Sequence, residues 1–172
     1  MSEAPSEWIE RWAGHVTRGP VLDVACGSGR HARYFAARGL EVVAVDREPQ
    51  DFGKDISFVR ANLEDGSPWP FGARRFSTII VTNYLHRPLF PVLESALEDG
   101  GFLIYETFMA GNERYGRPSN PAFLLQPGEL LEVFSTLDVI AFEQGLVERP
   151  KPALVQRLFA VRGGAERVRI AP

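Results

Sequence analysis

The stretch "VLDVACGSGRHARYF", residues 21 to 35, passes from an apolar run into glycines and then into a helical pattern. A glycine-rich turn at such a junction lets a ligand approach the backbone, and the helix N-terminus behind it favours negative charge. Gly27-Ser28-Gly29-Arg30-His31-Ala32 satisfies the G-x-G-x-x-G/A pattern of a dinucleotide site, a weak signal alone. Asp23 points elsewhere. A carboxylate in the strand just before the loop would repel a pyrophosphate and attract an ammonium or a sulfonium. A dinucleotide enzyme also needs a second nucleotide-binding half and a substrate region, for which 172 residues leave little room. A sulfonium-bearing nucleoside fits these residues better than a dinucleotide.

The elements that must position this loop alternate in kind. Trp8, Ile9, Trp12 and Val16 recur at helical spacing, so the first 16 residues read as an amphipathic leading helix. VLDVA (21 to 25) reads as a short buried strand, and RHARYFAAR (30 to 38) as a helix closed by Gly39. EVVAVD (41 to 46), ISFVRANL (56 to 63), STIIVTNYL (77 to 85) and GFLIYETF (101 to 108) read as four further strands. A helix is expected across PLFPVLESALEDGG, ending at Gly100 and Gly101, and another across PGELLEVFS with Pro127 in its first turn. LDVIAFEQGLVE and ALVQRLFAV close the chain as two strands with no helix between them. The expected architecture is α/β: one doubly wound, mostly parallel seven-stranded sheet covered on both faces, with an antiparallel C-terminal hairpin at its edge. Residues 1–172 show no internal repeat, low-complexity tract or linker, and read as a single domain.

Composition narrows the function classes. An apolar fraction of 45% supports one sizeable core, and no run approaches the roughly 18 residues of a membrane span. "MSEAPSEWIERW" lacks a basic region followed by an apolar one, so a cytoplasmic protein without a signal peptide is expected. Cys26 is the single cysteine, which excludes an intramolecular disulfide and a cysteine-cluster metal site. A net charge of -3 argues against nucleic acid as the main partner. Residues 149 to 172 nevertheless hold Arg149, Lys151, Arg157, Arg162, Arg167 and Arg169 against Glu166 alone, which keeps nucleic-acid contact open.

In order along the chain, these residues resemble the class I S-adenosylmethionine-dependent methyltransferases. Asp23-Val24-Ala25-Cys26-Gly27-Ser28-Gly29 is similar to their first motif, and "VVAVD" ending at Asp46 to the acidic end of their second strand. "RANLEDGSPWPF", "FSTIIVTNYLH" and "LEDGGFLIYETF" resemble their third, fourth and fifth strand segments, so the likeness covers about residues 15 to 162. The compact "CGSGRHARYFAARG" looks most like small-molecule and tellurite-resistance-type members. Three positions depart from the pattern: Ala25 replaces the usual first glycine, Asn62 stands where aspartate is frequent, and Ser77 where "FD" is usual.

The resemblance implies S-adenosyl-L-methionine as cofactor, with S-adenosyl-L-homocysteine as product. It places the backbone of Ala25, Cys26, Gly27 and Gly29 against the ligand and the Asp46 carboxylate on both ribose hydroxyls. Asp23 would attract the methionine ammonium, Arg30 would meet the methionine carboxylate, and Asn62 with the Leu63 amide would read the adenine edge. Asn83 would sit beneath the sulfur. Each has a plainer explanation, such as a turn-capping Asp46 or an Arg30 on a solvated helix face.

The implied chemistry is in-line displacement at a sulfonium methyl, which asks the protein to align a nucleophile and exclude water. A base is needed only if the acceptor is protonated at working pH. Tyr84, His86, Tyr105 and Glu106 are the candidate catalytic residues, because they follow the fourth and fifth strands, whose carboxyl ends share the ligand crevice. Glu106 could instead be paired with Arg87 or Arg114. The expected acceptor is a small molecule in a pocket floored by those four residues and roofed by residues 109 to 120, with Arg114 and Arg117 available to an anion. An RNA or protein methyltransferase and a catalytically silent cofactor-binding domain are the alternatives.

Overall fold

The computed structural model describes residues 3–171. Its strands are β1 (Val21–Val24), β2 (Val42–Asp46), β3 (Ile56–Arg60), β4 (Phe76–Thr82), β5 (Leu97–Phe108), β6 (Asp138–Val147) and β7 (Ala153–Val161). They form one sheet in the order β3-β2-β1-β4-β5-β7-β6. The first five are mutually parallel, whereas β7 runs antiparallel to both β5 and β6. The expected mostly parallel sheet with an antiparallel terminal hairpin is therefore present.

Alternation along each strand divides the core into two layers. Val21, Val42, Ala44, Ile80, Ile104 and Phe159 face helices α1 (Glu7–Trp12) and α2 (Arg30–Ala36). Leu22, Val43, Val45, Ile79, Leu103 and Tyr105 face α3 (Phe90–Ser95) and α4 (Glu129–Val133). All four helices are shorter than the roughly 12 to 15 residues that hold an isolated helix in water, so tertiary contact stabilises them. In α1 the contact is the complete burial of Trp8 and Ile9, and Ser6 Oγ caps the helix by accepting from the Ile9 amide at 3.1 Å.

Several boundaries differ from the sequence expectation. The leading helix stops at Trp12 and tightens into a 3-10 turn over Ala13–His15. The third helix stops at Ser95, and β5 begins at Leu97, which pairs with Phe76 before the register jumps to Thr78 opposite Phe102. Gly100 and Gly101 thus belong to a bulge inside a long strand and do not end a helix. A side chain at Gly101 would meet Glu98 O at 2.9 Å and Ser77 O at 3.1 Å. Pro127 precedes α4, whose N-cap is Gly128 at φ 72°. The link from β2 to β3, residues 47 to 55, carries no helix at all, although parallel crossovers usually need a dozen residues or more. Phe52 in that link does the covering, packed against Phe58 at 5.6 Å.

Candidate functional site

The carboxyl ends of β1, β2 and β4 deliver Asp23, Asp46 and Thr82 to one end of the sheet, with the glycine turn between β1 and α2. Ala25 takes φ 51°, left-handed backbone that a glycine would adopt without strain. Its departure from the usual glycine therefore keeps the glycine conformation. Gly27 (φ 54°) and Gly29 (φ 81°) differ in what surrounds them: Gly27 faces open space, whereas a Cβ on Gly29 would lie 2.2 Å from the Phe52 ring. Asp46 fastens the turn. Its Oδ2 accepts from the Gly27 amide at 2.8 Å and its Oδ1 from the Glu48 amide at 2.9 Å. The Cys26 amide bonds Val45 O at 3.0 Å, and burial pushes the thiol up to about 12, which disfavours the thiolate.

Asp23 is 1% exposed. Its Oδ2 accepts from the Ala32 amide at 3.0 Å, while Oδ1 is buried without a partner. Burial raises the carboxyl to about 7, against the opposing pull of the Ala32 amide and Arg30. Arg30 itself turns toward the N-terminal segment, donating to Ala4 O at 3.3 Å and lying 3.8 Å from Glu3. The expected arginine for a carboxylate is thus engaged by the chain's own residues.

An open cavity of about 500 Å³ lies beside the turn, within the usual range for a small-molecule site. Ala25, Asp46, Asn62, Leu63, Asn83 and Tyr84 are among the residues that line it. Asn62 Oδ1 accepts from the Glu64 amide at 3.0 Å, an Asx turn that sets the loop after β3. Asn83 has φ 53° and bonds Glu106 O through its amide at 2.9 Å, so the chain leaves β4 through a strained residue at the cavity wall.

The other acceptor-side candidates do not line this cavity. Tyr105 is buried on the α3 and α4 face and donates its hydroxyl to Tyr84 O at 2.9 Å; burial holds its phenol far above the ordinary range. Glu106 points to the α1 face and is ion-paired with Arg157, whose guanidinium also reaches Glu143 at 3.4 Å and lies over Trp8. Its partner is therefore neither Arg87 nor Arg114. His86 stands 4.0 Å from Glu64. Tyr84 lines the cavity, but the charges that act on its phenol are Glu64, Asp46 and Arg47, on the side formed by the loops after β2 and β3.

Thr107, Phe108, Pro118 and Phe123 complete the opposite wall. None was a named site residue at the sequence level, although Pro118 falls within the expected roof. Thr107 and Phe108 carried a usable signal: they end the fifth strand, where a parallel sheet opens its crevice. The segment that supplies Pro118 and Phe123 is clamped from two sides. Asn112, 1% exposed, donates to Pro118 O at 3.1 Å and accepts from the Leu154 amide at 3.0 Å. Arg87 pairs with Glu129 at 2.6 Å and donates to Leu124 O at 2.9 Å and Ala122 O at 3.2 Å. Arg114 and Arg117 are exposed and do not line the cavity.

Residues 21–101 match the family model of a methyltransferase domain. No curated protein matches the sequence. The structure is similar to TehB from Haemophilus influenzae, with a TM-score of 0.73 and 15% identity over 95% of this chain and 64% of that one. The chain thus spans less than two thirds of that protein. It is also similar to a SAM-dependent methyltransferase from Methanosarcina mazei, with a TM-score of 0.68 and 15% identity over 93% of this chain and 99% of that one. A third likeness, with a TM-score of 0.65 and 19% identity, is to the 1,6-didemethyltoxoflavin-N1-methyltransferase of Burkholderia thailandensis, solved with its namesake compound and S-adenosylhomocysteine. It covers 90% of this chain and 75% of that one. At these identities the likeness is one of fold.

Proposed function

We propose that this chain transfers a methyl group from S-adenosylmethionine to a small-molecule acceptor, a reading supported by the match of residues 21–101 to the model of a methyltransferase domain and by a fold similar to that of S-adenosylmethionine-dependent methyltransferases. The observation that carries the cofactor is Asp23 Oδ1, a buried carboxylate oxygen with no partner beside a glycine turn open at Gly27. A buried, unpaired polar atom is costly, and an ammonium would satisfy it.

The bound cofactor would supply a methyl group already activated on a sulfonium. The chain's own residues do the rest. Asp46, fixed by two amides, would accept the ribose hydroxyls; Asn62 and the Leu63 amide would hold the adenine; the backbone from Ala25 to Gly29 would hold the methionine end. Asn83, held by its bond to Glu106 O, shapes the wall where donor and acceptor meet. The wall segment clamped by Asn112 and Arg87 would orient the acceptor, a main demand of an in-line displacement. A cavity of about 500 Å³ suits a compact acceptor. Two tail cations are spent inside the fold, Arg157 on Glu106 and Arg162 on Leu97 O at 2.8 Å.

Calorimetry with S-adenosylmethionine, S-adenosylhomocysteine and NADH tests the reading. Binding of both adenosyl ligands with no measurable NADH binding is expected. Tight NADH binding with none for the adenosyl ligands overturns it.

A further inference from the structure

The cavity is electrically one-sided. Its charged lining residues, Asp46, Arg47, Glu48 and Glu64, all come from the end of β2 and the loops after β2 and β3. The opposite wall is Asn83, Thr107, Phe108, Pro118 and Phe123, with no ionisable group among them, and the Tyr84 phenol beside it is held protonated by burial. The cations nearest in sequence to that wall are committed or turned away: Arg87 is held by Glu129, and Arg114 and Arg117 are exposed outside the cavity. Of the candidate bases, Glu106, Tyr105 and His86 lie outside the cavity lining. Glu106 is paired with Arg157 on the α1 face, Tyr105 is bonded beneath the sheet, and His86 leans toward Glu64.

We propose that the acceptor is a compact, uncharged aromatic or heteroaromatic compound that offers a neutral nitrogen lone pair, and that the protein supplies no base to it. The inference rests on the methyltransferase reading and specifies its substrate class. An anionic acceptor would be desolvated against Phe108, Pro118 and Phe123, with the one lining cation, Arg47, on the other side among three carboxylates. A protonated amine has no lone pair to give. A neutral nitrogen needs neither a counter-charge nor a base. Its lone pair forms the new N–C bond, the C–S bonding pair returns to sulfur, and the positive charge passes from sulfur to nitrogen. Where that nitrogen carried hydrogen, the proton leaves to water afterwards. Phe108 and Phe123 supply aromatic surface for a flat ring.

The test uses the protein loaded with S-adenosylhomocysteine and matched probes that differ by one charge: nicotinamide against nicotinate, and quinoline against quinoline carboxylate. Calorimetry is expected to show the neutral member of each pair bound at least tenfold more tightly. Phe123→Arg, at a position 46% exposed, is expected to narrow or reverse that ratio. With S-adenosylmethionine, the pH dependence of kcat/KM is expected to follow the pKa of each probe. Equal or tighter binding of the carboxylates, an inflection that stays at one pH for all probes, or no probe bound at millimolar concentration overturns the inference. Failure to bind S-adenosylhomocysteine at the loading step sinks the methyltransferase reading instead, so the two failures are separable.

Discussion

The Ser6 amide donates to Nε2 of His31 at 3.1 Å, and this bond fixes the tautomer of the ring. Nδ1 must then carry the proton and donate to Thr82 Oγ1 at 3.2 Å. One buried imidazole thereby ties the cap of α1, the start of α2 and the carboxyl end of β4. His31→Ala leaves the Ser6 amide and the Thr82 hydroxyl without that partner. A loss of about 1–3 kcal/mol is expected, read as a lower urea midpoint. An unchanged midpoint would show that the bridge contributes nothing.

The pH dependence of stability should come from two buried groups that oppose one another. Burial lowers His31 from 6.5 to about 4, so the unfolded chain binds that proton first; this contribution is full above pH 6.5 and is lost as pH falls toward 4. Burial raises Asp23 from 3.8 to about 7, so the folded chain binds that proton first; stability is gained as pH falls from 7 toward 3.8 and is lost as pH rises. Between about pH 6.5 and 4 the slopes largely cancel in the native protein. His31→Gln should leave stability rising on acidification, and Asp23→Asn should leave it falling, each by up to about 1.4 kcal/mol per pH unit. Denaturant titrations at pH 7.5, 6 and 5 measure both, and parallel curves for the two variants would contradict the account.

Cofactor affinity should carry the same carboxyl. If Asp23 receives the methionine ammonium, binding below about pH 7 must first remove its proton. Affinity for S-adenosylhomocysteine is then expected to weaken by up to tenfold per pH unit between 7 and 5. Asp23→Asn should bind more weakly at pH 8 and lose this dependence. Calorimetry at three pH values in both proteins decides it; an equal slope in the variant removes Asp23 from the ligand.

Gly27 and Gly29 should separate function from stability. Alanine at 29 drives its Cβ into the Phe52 ring at 2.2 Å and also forces φ 81°, so a loss of more than 2 kcal/mol is expected by thermal melting. Alanine at 27 meets nothing and carries only the cost of φ 54°, about 1 kcal/mol. If the cofactor closes on this turn as proposed, Gly27→Ala should weaken its binding by more than tenfold in a nearly native fold. The reverse ranking of the two melting points would refute this division.

Glu106→Gln tests a residue that chemistry favoured and geometry moved elsewhere. Removing its charge leaves Arg157 with only the more distant Glu143, and a loss of about 1–3 kcal/mol is expected. The folded variant should transfer methyl groups at the native rate. A hundredfold lower kcat with native stability would return Glu106 to catalysis.

What could be read from sequence follows from the range of the interactions involved. The succession of strands along the chain, the glycine turn and the strand-ending Asp46 are encoded by local runs whose period and spacing admit few arrangements, so "VLDVACGSG" and "VVAVD" were legible. Tyr105 and Glu106 were misplaced because period two decides only that they face opposite sides of β5. It does not reveal that Arg157, 51 residues later, pairs with one of them across the sheet. Arg30 was similarly hidden, since its acceptor at Ala4 depends on where α1 docks. Phe123 escaped notice because loops after a strand carry no periodicity to mark which side chain turns inward.

Asp46 has a consequence for the entropy of recognition. A carboxylate offers about four lone-pair sites, and the Gly27 and Glu48 amides occupy one on each oxygen. Folding has therefore already fixed the rotamer of the side chain and the course of both loops beside it. A diol arriving at the remaining lone pairs need order neither, so little of its binding free energy is diverted into arranging the host.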